Sequence, residues 1–204
     1  MITIVDYKTG NLGSIKNMLK RIGEPSIITG DVDEINNSSK IILPGVGSFD
    51  AGVQKLKDSG IWDVLNDKVL DGNTPILGIC LGAQLMTQGS EEGQKVGFGW
   101  VEAKTVKFKI DQESKLKVPN MGWNYIKKEK DSLLFKDMVD NPRFYFVHSF
   151  HFDFEEKSQI ISTSKYSYEF CSAFEKKNVL GVQFHPEKSH RFGMNLLKNF
   201  VTNY

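Results

Sequence analysis

The sequence of 204 residues carries 26 basic and 25 acidic side chains, which gives a formal net charge of +1 at pH 7. This balance argues against nucleic-acid binding, and no apolar run is long enough to cross a membrane. The two cysteines, Cys80 and Cys171, lie far apart without metal-ligand spacing, so neither a disulfide framework nor a metal site is expected. An apolar strand pattern begins directly after Met1, which leaves no signal peptide and favours a cytoplasmic protein.

The first part of the chain alternates between short apolar strand patterns and amphipathic helix patterns. Strands are predicted at residues 2–5, 26–29, 40–43 and 75–79, and helical patterns at residues 12–22, 53–56, 61–70 and 81–86. Strands that alternate with helices form parallel sheets with helices on both faces. We therefore expect an α/β fold whose functional loops follow the carboxyl ends of the strands.

After Gly89 the pattern changes to one that is typical of antiparallel strands. Strands are predicted within residues 101–110, 125–128, 143–149, 172–175 and 179–184, the last two as a hairpin across residues 176–178. The charged segment 107–117 is expected to be a solvated face or a flexible loop, and residues 119–124 form a compact segment of unusual composition. An amphipathic helix at residues 191–204 closes the single domain expected for residues 1–204.

Cys80 stands between a buried strand and a helix, with Gly78 and Gly82 on either side. Flanking glycines allow a sharp strand-to-helix turn that exposes one reactive side chain, as in a nucleophile elbow. The backbone N–H of Leu81, at the helix start, is then placed to stabilise a thiolate and a developing oxyanion. The alternative is that Cys80 is a small buried hydrophobic residue.

A base for this thiol is offered by His185, which follows a predicted strand in the sequence Gln183-Phe-His-Pro-Glu187. Pro186 keeps His185 out of a helix, and residues two apart in an extended segment share a face. Glu187 can therefore orient the imidazole of His185 while that imidazole takes the proton of Cys80. The alternative is a surface turn without a catalytic role.

The glycine-rich residues 44–47 also follow a predicted strand, and they suit an oxyanion site because glycine frees the backbone to aim an N–H at a reacting carbonyl. Val46 and Gly47 are the candidates in this loop, together with Leu81. A phosphate-binding loop is an alternative, but the pattern does not continue as G-x-G-x-x-G and no Walker lysine follows. A left-handed turn of no special function is the other alternative.

These motifs resemble those of the class I (triad) glutamine amidotransferases. Residues 78–82 with Gln84 look like the nucleophile motif of that family, and residues 184–187 look like its histidine–glutamate motif. Within the family the chain is most similar to the glutaminase subunits of imidazole glycerol phosphate synthase. The supporting stretches span the chain, at residues 6–13, 44–49, 121–124, 146–149 and 185–189.

The resemblance implies a flavodoxin-like fold and a cofactor-free hydrolysis of L-glutamine through a thioester on Cys80. It also implies that Gln84 and the backbone at Gly47, Ser149 and Phe150 hold the glutamine. His148 matches a family position outside the triad and is interpreted as structural or pocket-lining.

A partner is expected because the motifs occupy the whole chain and leave no domain to accept ammonia, which is protonated and unreactive when free at neutral pH. In the resembled family the partner is a (β/α)8-barrel cyclase of histidine biosynthesis, and ammonia passes through the barrel to it. By the same matching, Asn11, Trp123 and Lys188 are predicted to form the partner interface. Composition alone favours the core for Trp123, whereas the resemblance favours the interface.

Two departures from the family pattern keep other functions open. Asn120 stands where the family usually has histidine, and Phe150 stands where it often has tyrosine. A paralogous glutaminase that supplies ammonia for amidination of a surface-polysaccharide sugar is one alternative. A non-catalytic regulator on the same fold is a second, and a cysteine peptidase is a third, although such enzymes usually carry a histidine beside the nucleophile.

Overall fold

The computed structural model describes residues 1–111 and 113–204, and these residues form one 11-stranded sheet with helices packed against it. The strands are β1 (Ile2–Val5), β2 (Ser26–Thr29), β3 (Lys40–Gly45), β4 (Ile76–Cys80), β5 (Ala103–Lys107), β6 (Asn120–Lys128), β7 (Arg143–His148), β8 (Phe150–Phe154), β9 (Ile160–Tyr166), β10 (Tyr168–Lys176) and β11 (Val179–Val182). The helices are α1 (Leu12–Arg21), α2 (Val32–Asn36), α3 (Phe49–Asp58), α4 (Ile61–Asn66), α5 (Leu81–Leu85) and α6 (His190–Asn203).

The sheet has a parallel part and an antiparallel extension, as predicted. Its order is β2-β1-β3-β4-β11-β10-β9-β6-β7, and the first five strands run parallel to one another. The strands from β10 onward pair antiparallel, and β8 joins β10 to β5 beside the main path. The carboxyl ends of β1, β3, β4 and β11 therefore meet at one edge, where parallel sheets collect their functional loops.

Helices cover both faces of the sheet and bury two apolar layers, which confirms the α/β prediction. On one face, α1 and α6 pack against the strands through residues such as Leu19, Leu197 and Phe200. On the other face, α3, α4 and α5 pack through residues such as Val53 and Leu85. The central parallel strands β1, β3, β4 and β11 are buried along most of their length because both of their faces are covered.

Several elements differ from the sequence prediction. The five-residue helix α2 was not predicted, and the pattern at residues 61–70 is a helix to Asn66 followed by a π-helical turn at Asp67–Asp71. The compact segment 119–124 belongs largely to β6. Strands β8 and β9 were missed because β8 is short and includes a histidine and an aspartate, and β9 is mostly polar after its first two residues. No helix in residues 1–111 and 113–204 combines the length and the apolar character that a membrane span requires.

Candidate active site

Cys80 is the last residue of β4 and directly precedes α5, with φ 53° and ψ −113°. A positive φ is strained for any residue with a side chain, and such strain collects at functional turns. The flanking glycines are required for close packing. A Cβ on Gly78 would lie 2.6 Å from Cα of Ala83, and a Cβ on Gly82 would overlap the carbonyl oxygen of Leu43. The predicted elbow is therefore present.

His185 reaches this elbow because β11 runs beside β4, with Val182 paired to Ile79. Beyond β11, the backbone N–H of His185 donates to the carbonyl oxygen of Tyr145 at 2.9 Å. Ser189 closes the turn by donating its hydroxyl to the carbonyl oxygen of His185 at 2.6 Å and accepting from the N–H of Tyr145 at 3.0 Å. The histidine is thus fixed between two strands by backbone contacts.

The predicted partnership between His185 and Glu187 is present in the structure. Nδ1 of His185 lies 2.7 Å from Oε1 of Glu187, and the two side chains are 3% and 2% exposed. Burial lowers the pKa of His185, but hydrogen bonding to Cys80 and Glu187 and the negative charges of both outweigh burial and raise that pKa above its usual value. Nε2 of His185 has no hydrogen bond of good geometry within the described residues, so it is available on the side of Cys80.

A cavity of about 340 Å³ opens at this edge of the sheet, and its walls bring most of the predicted site residues together. They are Cys80, His185, Val46, Gly47, Leu81, Gln84, Ser149 and Phe150. Glu187 lies behind His185 and does not line the cavity. The sulfur of Cys80 also accepts a hydrogen bond from Nε2 of the buried Gln183 at 3.6 Å, a contact that favours the thiolate and that the sequence did not indicate.

The predicted oxyanion donors are only partly assembled. We call residues 44–48 the oxyanion loop. The N–H of Val46 donates to Oγ1 of Thr9 at 3.1 Å, and the Thr9 hydroxyl donates back to the carbonyl of Val46 at 2.5 Å. The Val46 N–H is therefore bonded to Thr9 and not directed at Cys80 in this structure, and its role as an oxyanion donor stays a prediction. Gly47 has φ +101°, and Leu81 begins α5, where the N–H has no partner within the helix.

The residues predicted to hold glutamine lie together, but part of their hydrogen-bonding capacity is used within the protein. Nε2 of Gln84 donates to the carbonyl of Phe150 at 3.4 Å and to Oε1 of Gln183 at 3.2 Å. The same Phe150 carbonyl lies 2.7 Å from Nδ1 of His148. These contacts fix the segment around Ser149 and occupy the Phe150 carbonyl. The predicted contacts of Ser149 and Phe150 with glutamine therefore require other backbone groups of these two residues.

Comparison with known proteins identifies the family to which this chain belongs. Residues 3–204 match the family model described as glutamine amidotransferase class-I. The chain belongs to the class-I glutamine amidotransferases. Solved structures agree on the fold: a structure titled as a glutamine amidotransferase has a TM-score of 0.76 and 17% identity over 98% of this chain and 97% of its own.

Sequence relatives narrow the comparison within the glutamine amidotransferases. The chain is 53% identical over 201 residues to imidazole glycerol phosphate synthase subunit HisH 2 of Methanococcus maripaludis, covering 98% of each chain. It is 44% identical over 203 residues to subunit HisH of Leptospira interrogans, covering 99% and 100%. A third relative, subunit HisH 2 of Pseudomonas aeruginosa, is 42% identical over 98% of each chain.

The charged residue Glu92 lies in the cavity of this amidotransferase and was missed by the sequence prediction. Glu92 lines the cavity beside Gly47 and Gln84, and its Oε2 accepts a hydrogen bond from the N–H of Phe49 at 2.8 Å. The Glu92 carboxylate thus connects the loop after Gly89 to the first turn of α3, which directly follows the oxyanion loop. The polar segment after Gly89 has no helical or strand periodicity, so the sequence gave no indication that Glu92 lies in the cavity. Its position depends on a contact with Phe49, 43 residues earlier in the chain.

His148 and Asn120 explain one departure from the family pattern. Burial lowers the pKa of His148 to about 3, although its hydrogen bond to the carbonyl of Phe150 raises it. The ring is therefore neutral, with a proton on Nδ1 and Nε2 accepting from Nδ2 of Asn120 at 3.0 Å. Because Asn120 is buried in this contact, it supports the cavity wall from within. The interpretation of His148 as a structural, pocket-lining residue agrees with these contacts.

The residues predicted for the interface are all exposed. Trp123 lies on β6 with 42% of its surface exposed, so its assignment to the core is wrong. Its ring stacks on His190 at 5.5 Å and contacts Tyr145 edge-on at 6.2 Å, and the ammonium of Lys188 lies 5.6 Å from the Tyr145 ring. Asn11 precedes α1, which packs against the turn containing Lys188. We call this surface the docking face; the sequence did not indicate Tyr145.

A cavity of about 660 Å³ lies away from Cys80 and is lined by residues of β8, β9 and β10. It contains His151, whose ring contacts the hydroxyl of Tyr168 at 2.9 Å and the carbonyl of Phe152 at 3.1 Å. It also contains Cys171, a buried thiol that donates to the carbonyl of Ala173. Both side chains make hydrogen bonds within the protein. Cys171 lies in this cavity and not at the elbow that carries Cys80.

Proposed function

We propose that the chain is the glutaminase subunit of an imidazole glycerol phosphate synthase, in which Cys80, His185 and Glu187 form the catalytic triad. The observation that carries this proposal is the buried His185–Glu187 hydrogen bond of 2.7 Å beside a strained cysteine in the same cavity. Nucleophile, base and orienting carboxylate are the three groups that thiol-based amide hydrolysis needs. A structural turn would not require a buried carboxylate against an imidazole.

The reaction begins when His185 takes the proton of Cys80 and the sulfur attacks the side-chain carboxamide carbon of glutamine. The tetrahedral oxyanion collapses, and the imidazolium gives its proton to the departing nitrogen, which leaves as ammonia. Water then attacks the glutamyl thioester with His185 as base, and glutamate is released as Cys80 regains its proton. Glu187 stabilises the imidazolium in both halves of this cycle.

Glutamine is held by one carboxylate and several neutral polar groups that line the cavity. The Glu92 carboxylate is the anionic group that can accept the α-ammonium of glutamine, since charge-assisted hydrogen bonds are short and strong. Gln84 and the backbone around Gly47, Ser149 and Phe150 contact the rest of the amino acid. The Leu81 N–H, joined by Val46 and Gly47 when the oxyanion loop turns, stabilises the oxyanion.

The ammonia is used by a second subunit that binds the docking face. Trp123 offers exposed aromatic surface, with the half-buried Tyr145 beside it and cationic side chains next to both rings, the composition that protein interfaces favour. Asn11 and Lys188 extend the surface on the same side. The partner is a (β/α)8-barrel cyclase that receives ammonia through its barrel, and the pair acts in the cytoplasm in the pathway to histidine.

A second candidate is a paralogous glutaminase that supplies ammonia for amidination of a surface-polysaccharide sugar. Two of the three relatives above carry the number 2 in their names. Asn120 and Phe150 also depart from the usual family residues. Both candidates use the same triad and differ only in the acceptor.

The test is a glutaminase assay with and without the cyclase partner, measuring glutamate release by the wild type, Cys80→Ala and Cys171→Ala. Wild type and Cys171→Ala should hydrolyse glutamine, while Cys80→Ala should lose several orders of magnitude in kcat. Activity of Cys80→Ala near that of the wild type would contradict the proposal. Complementation of a histidine auxotroph lacking the glutaminase subunit then separates the two acceptors: growth supports histidine synthesis, and failure despite glutaminase activity supports the paralogous role.

A further inference from the structure

Gln183 is a fully buried glutamine between the end of β11 and His185. Its backbone N–H donates to the carbonyl oxygen of Ser172 at 2.9 Å, so β10 fixes the main chain at this point. Its side chain is directed to the elbow, where Nε2 lies 3.6 Å from the sulfur of Cys80 and Oε1 lies 3.2 Å from Nε2 of Gln84. A carboxamide is costly to bury unless it is hydrogen-bonded, and here the bonded groups belong to the active site.

The direction of these hydrogen bonds is determined by the carbonyl of Phe150. A carbonyl oxygen can only accept, so the Gln84 amide presents its NH2 group there, at 3.4 Å. The same NH2 group also donates to Gln183, which therefore presents its oxygen to Gln84 and its own NH2 group to Cys80. Turning the Gln183 amide over would set two NH2 groups against each other and an oxygen against the sulfur. The chain of donors thus ends on the nucleophile.

This chain of hydrogen bonds affects both the nucleophile and the site that holds the substrate. An N–H directed at a sulfur favours the thiolate, which is the nucleophilic form, over the thiol. At the other end, both protons of the Gln84 NH2 group are used, and Oε1 of Gln84 accepts no hydrogen bond within the described residues. Because Gln84 lines the cavity, this oxygen is left to accept from the bound glutamine.

We propose that Gln183 is a positioning residue of the glutaminase reaction, whose amide holds the Cys80 sulfur as the nucleophile and fixes Gln84 with its carbonyl oxygen free for the substrate. Gln183 does not line the cavity, so it acts through these two residues. The inference rests on the proposed function, because it names a further residue that this reaction needs. A glutamine with only a structural role would affect stability and leave the reactivity of the sulfur unchanged.

The test compares Gln183→Met, Gln84→Met and the double variant with the wild type, in the complex with the cyclase partner. Methionine keeps the length of the side chain and removes both hydrogen bonds. In Gln183→Met, kcat should fall on the order of tenfold because the sulfur loses a donor, and KM should rise roughly 3- to 10-fold because Gln84 loses an acceptor. When Gln84 is already methionine, the change at residue 183 should lower kcat and leave KM unchanged.

Alkylation of Cys80 by iodoacetamide at fixed pH tests the contact with the sulfur without relying on glutamine hydrolysis. Peptide mass spectrometry separates Cys80 from Cys171, and the rate at Cys80 should fall on the order of tenfold in Gln183→Met. Gln88→Met is the matched control, since Gln88 is exposed and does not line the catalytic cavity, and it should react as the wild type. Gln183→Leu removes the same bonds and takes the place of Gln183→Met if the melting temperature shows that the latter does not fold.

Two results would overturn the inference. Wild-type rates of alkylation and of hydrolysis in a folded Gln183→Met would overturn the role at the sulfur. A KM that is unchanged in Gln183→Met, or that rises equally when Gln84 is already methionine, would overturn the role through Gln84. No hydrolysis by the wild type with its partner would instead overturn the proposed function, and alkylation would still measure the contact between Gln183 and Cys80.

Discussion

Replacing Glu187 with glutamine removes one negative charge from behind His185 and leaves the shape of the side chain almost unchanged. The bond from Nδ1 to Oε1 is 2.7 Å long, and both side chains are at most 3% exposed, so water cannot replace it. A buried hydrogen bond to a charged group contributes about 1.5–3 kcal/mol. The glutamine oxygen still accepts from Nδ1 in a neutral bond of about 0.5–1.5 kcal/mol, so the loss is about 1–1.5 kcal/mol. With about 1.4 kcal/mol for each factor of ten, kcat should fall roughly 5- to 12-fold.

The effect on glutamine binding should be small, because Glu187 does not line the cavity. The pKa of His185 should fall in Glu187→Gln, since the charge of Glu187 is one of the causes that raise it. The imidazolium that protonates the leaving ammonia is then less stable, and the loss should appear in kcat and not in KM. The carboxamide oxygen can still accept from Nδ1, which keeps the loss smaller than that of His185→Ala.

The assay is glutamate release in the complex with the cyclase partner, as a function of glutamine concentration and pH. Glu156→Gln, an exposed position away from the cavity, is the matched control and should behave as the wild type. A kcat for Glu187→Gln within about twofold of the wild type would refute the orienting role of the carboxylate, given the energy expected for the bond. An NMR titration of the imidazole checks the fall in the pKa of His185 directly.

Three further predictions test other parts of the molecule. Trp123→Ala should weaken binding to the cyclase partner by about 2 kcal/mol or more in calorimetry while the isolated chain keeps its melting temperature, and a melted chain with unchanged affinity would contradict the docking face. Gly47→Ala meets no atom within 4 Å but requires φ +101°, so it should bind glutamine normally and resist stimulation; full stimulation would exclude a loop that moves. Burial lowers the pKa of His148 to about 3, below its unfolded value of about 6.5, so the free energy of unfolding should decline below pH about 6.5 by up to about 1.4 kcal/mol per pH unit. Urea unfolding at pH 5–8 should show a flatter decline in His148→Gln than in the wild type. Equal slopes would contradict the neutral buried ring.

The sequence was sufficient where the structure depends on local pattern. The elbow at Cys80 follows from an apolar run, two glycines and a helix start, all within a few residues. His185 and Glu187 were found for the same reason, since a proline and a two-residue spacing determine which side they share. The parallel sheet then brings the two segments together, because alternating strands and helices leave few topologies.

The remainder depends on contacts between distant segments that have no local signal. Glu92 reaches the cavity from a polar loop, and its bond to Phe49 joins residues 43 apart in the chain. Thr9 contacts the oxyanion loop through the backbone N–H and carbonyl of Val46, and backbone groups carry no sequence signature. Strand β8 was missed because Phe150–Phe154 is short and includes a histidine and an aspartate, and its place is set by pairing with β5. Trp123 was hard to place because an exposed aromatic and a core aromatic look the same in a sequence.

Mass spectrometry of the acid-quenched enzyme during turnover of glutamine tests most directly the claim that Cys80 is the nucleophile. With the cyclase partner present, the peptide containing Cys80 should gain the mass of one glutamyl group, and hydroxylamine should remove it. The peptide containing Cys171 should be unchanged, and Cys80→Ala should show no modified peptide. Steady glutamine hydrolysis without any adduct on Cys80, or an adduct on Cys171 instead, would contradict the account.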